Sequence, residues 1–152
     1  CQFDVSWLER IVSESINKKA NFLIIIPKPC IMSNPIQWLE IAALDLERAK
    51  TFYADVFQLD FHYIEMPDSK MYMFGAPGDI GSAGCIMWSE QTKPSAEGTT
   101  VYFSCEDVSN ELDRVQAAGG EIVISKTDIG EFGFFAQVMD TEGNRIGLHS
   151  NQ

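Results

Sequence analysis

Glu40, Tyr102 and His149 are the residues whose types and positions best suit chemistry: a carboxylate, a phenol and an imidazole, each within a stretch that reads as a strand. A carboxylate beside an imidazole can move protons as general acid and base, with the Tyr102 hydroxyl as a further donor. Strand alternation is what gathers them in this reading. Leu39, Ile41 and Ala43 point one way while Trp38, Glu40 and Ala42 point the other. Val101, Phe103 and Cys105 likewise oppose Thr100, Tyr102 and Ser104, and Ile146 and Leu148 oppose Gly147 and His149. The purely apolar faces should cover helices, so the mixed faces should line a cleft holding Trp38, Glu40, Thr100, Tyr102 and His149. The plainer alternative makes Glu40 and His149 a structural hydrogen-bonded pair or a pair of rim groups. Trp38, Trp88, Phe132 and Phe134, with Tyr72 and Phe135, supply aromatic surface able to sandwich a planar ligand, although core packing is the ordinary role of such rings. Glu131-Phe132-Gly133-Phe134-Phe135 reads as a hairpin turn bearing aromatics near the cleft mouth.

The elements that must position these groups come in two matching sets. The segment 36–43 alternates as a strand, and Asp45 is placed to cap a helix over 46–57 with apolar Leu46, Ala49, Phe52, Tyr53, Val56 and Phe57 on one stripe. Strands over 61–66, 70–75 and 83–89 follow, separated by Pro- and Gly-bearing turns. After a polar linker containing Pro94 the order repeats. There is a strand over 99–105, a cap at Asp107, and a helix with Val108, Leu112, Val115 and Ala118 buried. Gly119-Gly120 makes the stop, and strands run over 121–126, 134–139 and 145–150. Trp38 and Thr100 precede their caps by the same interval, so the chain reads as a duplication of one β-α-β-β-β unit, with modules 36–90 and 99–150. The fold class is α+β, with tandem βαβββ units forming a curved, cleft-like sheet.

Residues 1–31 read as an N-terminal extension ahead of a single domain over 32–152. Ser6-Trp7-Leu8-Glu9 fits a capping box opening a helix, and Phe22 to Ile26 a short strand closed by Pro27 and Pro29. The chain of 152 residues carries a net charge of −11, which disfavours nucleic acid and anionic membrane surfaces as partners. Arg10, Lys18, Lys19 and Lys28 outnumber Asp4, Glu9 and Glu14, so the acidic excess belongs to the domain. Cys1, Cys30, Cys85 and Cys105 form no C-x-x-C pair, and a reducing, cytoplasmic setting is expected. The longest apolar run is too short to span a bilayer. His62 reads as surface or satisfied structure. Met66, Met71, Met73 and Met87 read as filling core or cleft, since no Met-x-x-Met cluster marks a copper site.

The helix Asp45-Leu46-Glu47-Arg48-Ala49-Lys50-Thr51-Phe52-Tyr53 resembles the first helix of the vicinal oxygen chelate superfamily. This is the group of glyoxalase I, bleomycin-resistance proteins, fosfomycin-resistance enzymes and extradiol dioxygenases. Ala117-Ala118-Gly119-Gly120 and Asp140-Thr141-Glu142-Gly143-Asn144 resemble its later motifs, and the likeness covers residues 34–150. It implies a cleft between curved sheets, homodimers, and a divalent metal held by the first and last strands of each half. It places those positions at Trp38, Thr100, Gly147 and near Cys85 or Ile86. Indole and glycine offer a metal no side-chain lone pair, so no metal and no cofactor are expected. A divalent metal at a site shifted to Glu40 and His149 is the alternative. Glu40, Tyr102 and His149 lie two residues beyond the family's positions. The resulting expectation is a metal-independent protein that binds a small organic molecule. The alternatives are a lyase or isomerase of glyoxalase type using Glu40, His149 and Tyr102, or a scaffold whose cleft is filled by its own side chains.

Overall fold

A computed structural model describes residues 36–75 and 81–152, which belong to one compact unit, Asn34–Gln152. The helix and strand expected within residues 1–31 lie outside the described residues. The first half runs β1 (Trp38–Ala42), α1 (Leu46–Phe57), β2 (His62–Met66), β3 (Ser69–Phe74) and β4 (Ala83–Ser89). The second repeats it as β5 (Tyr102–Ser104), α2 (Val108–Val115), β6 (Glu121–Asp128), a 3-10 turn (Gly130–Phe132), β7 (Phe134–Met139) and β8 (Arg145–Ser150). Each half folds one four-stranded sheet, in the orders β1-β4-β3-β2 and β5-β8-β7-β6. The first strand of each half pairs in parallel with the last, a pairing that needs an intervening crossover, here the helix and the antiparallel hairpin strands.

Both helices start where their caps demand. The Asp45 carboxylate accepts the Arg48 amide at 3.0 Å, and that of Asp107 accepts the Ser109 amide at 2.8 Å. The stripe Ala49, Phe52, Tyr53 and Val56 is buried on α1, as are Val108 and Val115 on α2. One apolar core spans both halves, with Ile41, Phe52 and Ile86 of the first packed with Val115, Val138 and Leu148 of the second. Phe103 of β5 carries the join. Its ring stacks on Phe57 at a centroid distance of 4.4 Å and lies 5.9 Å from Tyr53.

The faces follow the alternation expected from the sequence: Ile41 and Ala43 enter the core while Trp38 and Glu40 stay exposed. Strand β5 is shorter than the expected 99–105. Its pairing nonetheless continues at both ends, because Gly147 N donates to Val101 O and Cys105 N to His149 O, both at 2.8 Å.

The Asp140–Asn144 turn between β7 and β8 reaches across to the first helix. Glu142, its side chain fully buried, accepts the Leu44 and Asp45 amides at 2.8 and 2.9 Å and the Arg48 Nε at 2.7 Å. Asp140 accepts the buried Tyr53 hydroxyl at 2.8 Å, and Asn144 Nδ2 donates to Ala42 O at 2.9 Å. A helix N-terminus leaves several amides without helical partners; here a carboxylate from the far end of the chain serves those just ahead of α1. Desolvation pushes the Glu142 carboxyl up, but the Arg48 hydrogen bond and the two amides outweigh it and hold it below the ordinary glutamate value.

Candidate functional site

Cross-strand pairing sets which side chains share the sheet faces turned away from the helices. In the first half, His62, Met73, Cys85 and Glu40 form one row, and Ile64, Met71, Met87 and Ala42 the next. In the second half the matching rows are Tyr102, Gly147, Gln137 and Ile124, then Ser104, His149, Phe135 and Thr127. The two parallel pairs, Glu40 with Cys85 and Tyr102 with Gly147, therefore occupy equivalent places in their sheets.

These places are furnished differently. Met71, Cys85 and Met87 bury one another, with Ile64 and Met73 packed alongside. Burial, followed by the nearby Glu40 charge, pushes the Cys85 thiol up to about 12. This settles the register left open between Cys85 and Ile86: Cys85 shares the face of Glu40, and Ile86 belongs to the core. At the equivalent place in the second half the Tyr102 ring lies over Gly147. A Cβ on residue 147 would sit 2.2 Å from Tyr102 Cδ1, inside any allowed contact. Gln137 Nε2 donates to the Tyr102 hydroxyl at 2.8 Å and holds the ring there. Tyr102, Ile129, Phe135 and His149 line a cavity of about 400 Å³. A second hollow of about 720 Å³, whose walls include Thr100, Tyr102, Leu39 and Phe74, lies where the halves meet.

The candidate residues do not all converge. Trp38 Nε1 donates to Glu40 at 3.2 Å, whereas His149 Nε2 lies 2.8 Å from the Phe132 carbonyl oxygen. Among the described hydrogen bonds and ion pairs, none joins Glu40 to His149. Tyr102 and His149 do share a cavity, and Thr100 lines the neighbouring one. Phe132 is 67% exposed and contributes its backbone to His149. Phe134 differs from expectation: it packs on the core with the Lys126 ammonium 4.5 Å above its ring, and Phe135 takes the cavity place. The cause is phase, since adjacent residues of a strand point to opposite faces. Trp88 differs for the same reason. It is paired with Lys70 and shares the helix side of the first sheet with Tyr63 and Tyr72. Gln137, a lone amide within the apolar strand Phe134–Met139, was the readable sign of the residue that sequence reasoning passed over.

Among the described residues, no group of three or more His, Cys, Asp or Glu side chains is arranged to hold a metal ion. No described helix is long and apolar enough to cross a membrane.

With that geometry in place, comparison with known proteins gives a consistent result. The profile of the Glyoxalase/Bleomycin resistance protein/Dioxygenase superfamily matches residues 35–148. A glyoxylase-like domain-containing protein of Didymella fabae is 32% identical over 121 residues, covering 75% of this chain and 91% of that protein. An antibiotic-binding protein of a Streptomyces species, TnmS3, superposes with a TM-score of 0.63 at 21% identity, over 80% of this chain and 98% of that one. A glyoxalase I variant from Zea mays superposes with a TM-score of 0.64 at 20% identity, over 77% of this chain but 46% of that longer one.

Proposed function

Because the chain belongs to the glyoxalase/bleomycin resistance protein/dioxygenase superfamily, we propose that it is a metal-independent member that binds a small organic molecule against the second-half sheet. The observation that carries this reading is the Tyr102 ring lying over Gly147. Of the positions that the family resemblance assigns to metal, Trp38 offers an indole already donating to Glu40, and Gly147 offers no donor and no room for one. Cys85 is buried with its thiol held protonated at neutral pH. With only the neutral Thr100 hydroxyl remaining, this donor set does not fit a divalent ion.

What the site offers instead suits binding. Tyr102, Phe135 and Ile129 give apolar walls, and His149 and the Tyr102 hydroxyl give directional polar groups. The family likeness to an antibiotic-binding protein supports the same class of ligand. A panel of planar aromatic compounds, titrated calorimetrically with and without EDTA, tests it. Binding should survive chelation and fall about tenfold in Tyr102→Ala. Affinity that vanishes with EDTA and returns with nickel, zinc or manganese would overturn the reading.

A second reading, a metal-free lyase or isomerase, rests on the His149 contact with Phe132 O. If Nε2 carries the proton to that carbonyl, Nδ1 becomes an acceptor able to serve as base. Turnover unchanged in both Glu40→Gln and His149→Ala ends that reading. The same proposal includes a cytoplasmic homodimer. Light scattering of the intact chain that returned a monomer mass would remove the dimer.

A further inference from the structure

The helix side of the first sheet carries a hollow of about 640 Å³, walled by Tyr63, Tyr72 and Trp88 with Asp45, Glu47 and Lys70 on its rim. It lies on the opposite face of the sheet from Glu40 and Cys85. Cross-strand pairing makes the aromatic walls: Tyr63 is paired with Tyr72, and Lys70 with Trp88 one row along. The two tyrosine rings meet at 5.2 Å with a 53° tilt, leaving an angular, open aromatic surface.

Both phenols donate hydrogen bonds to carboxylates. Tyr72 donates to Glu47, and Tyr63 donates to Glu65 at 3.1 Å. Lys70, on the rim, is paired with the Glu65 carboxylate at 3.3 Å. Beyond Trp88 an adjoining cavity of about 520 Å³ adds Asp68 and Glu90 to the same neighbourhood. The surroundings are thus acidic as well as aromatic, in a chain of net charge −11. One cation already uses this surface: the Lys50 ammonium sits 5.8 Å from the Tyr72 ring centroid.

We propose that this outer hollow is a second binding site, for an alkylated ammonium group. A quaternary ammonium is attracted to ring faces, gives no hydrogen bonds that the site would need to accept, and loses little hydration on entry. Tryptophan is the strongest such face, and Trp88 is half-buried in a hollow it shares with half-buried Tyr72 and exposed Tyr63. The nearby carboxylates supply charge complementarity at longer range.

Calorimetric titration of the full chain with choline tests the site, against the uncharged isostere in which carbon replaces the nitrogen. Choline should bind at least about tenfold more tightly. Trp88→Leu should abolish the difference, and Trp88→Phe, which keeps the ring volume better, should retain a weakened one. Lys50→Ala should strengthen choline binding about twofold by removing the internal competitor for Tyr72, a change that a merely greasy hollow would not show. Equal affinity for choline and its isostere, absence of choline binding, or a Trp88→Phe protein indistinguishable from the parent would each overturn the proposal. A short peptide bearing trimethyl-lysine separates two sources of the same chemistry. Tighter binding than choline points to a protein-borne group and weaker binding to a free compound, and either ranking keeps the aromatic site. Compounds bound at Tyr102 should be unaffected by all three substitutions.

Discussion

The inner faces of the two sheets share a topology and differ in what one position allows. In the first half the parallel pair is Glu40 with Cys85, a carboxylate beside a thiol sealed under methionines. In the second it is Tyr102 with Gly147, a ring laid over an absent side chain. Duplicated units thus need not keep equivalent chemistry. One half has turned the position into an adaptable sulfur-rich floor, since methionine refills irregular space easily. The other has turned it into a fixed aromatic wall. In the second half a polar fixture from the neighbouring strand, Gln137, sets the orientation of that ring.

The strongest break in this comparison lies outside both faces, at the turn tying the halves together. Glu142→Ala should cost about 2–3 kcal/mol of stability, read by urea unfolding, because it strips the Leu44 and Asp45 amides and Arg48 of their charged partner. Its carboxyl is held below the ordinary value, so that contribution is present above the ordinary glutamate range and fades as pH falls through the depressed value. An unfolding midpoint insensitive to Glu142→Ala would mean the halves stand without the turn.

Next in size is Gly147→Val. The new side chain collides with the Tyr102 ring and should cost about 2 kcal/mol by overpacking, with loss of any ligand held at the cavity. A stable Gly147→Val protein that kept its ligand would show that the ring is free to move aside. Cys85→Ala, at the equivalent position, should cost only about 1 kcal/mol and leave binding unchanged, the methionines closing the gap. A Cys85→Ala loss as large as that of Gly147→Val would erase the contrast.

The smallest effect concerns the second helix cap. The Lys126 ammonium at 2.7 Å, with the Ser109 amide, lowers the Asp107 carboxyl to about 2. A depressed acid stabilises above its unfolded value of 3.8 and loses that contribution as pH falls toward about 2. NMR titration should place the Asp107 midpoint near that value, and Lys126→Ala should raise it. A midpoint at the ordinary value in the parent would remove Lys126 from the cap.

Much of this architecture is written in local pattern. Asp45 and Asp107 are legible because a short carboxylate before an apolar stripe is a capping signal, and the faces of β1 and β5 are legible because their residues alternate. The same logic fails in β4, where Gly84, Cys85, Ile86 and Met87 are all buried and no alternation remains to fix which side Trp88 takes. It fails again after the 3-10 turn, whose geometry decides whether Phe134 or Phe135 leads onto the cavity face. The role of Glu142 was hidden for another reason. Its partners lie up to 98 residues away, and no local window contains them.

That separation has a kinetic meaning. The α1 helix receives the partner for the Leu44 and Asp45 amides just ahead of it only after the β7–β8 hairpin has formed, so its start is finished by a turn 98 and 97 residues further on. Loop closure over such a span must precede the contact that rewards it. A nascent chain ending before residue 140 therefore holds a complete α1 stripe with an unfinished N-terminus, and the first half must wait for the second before either is sealed.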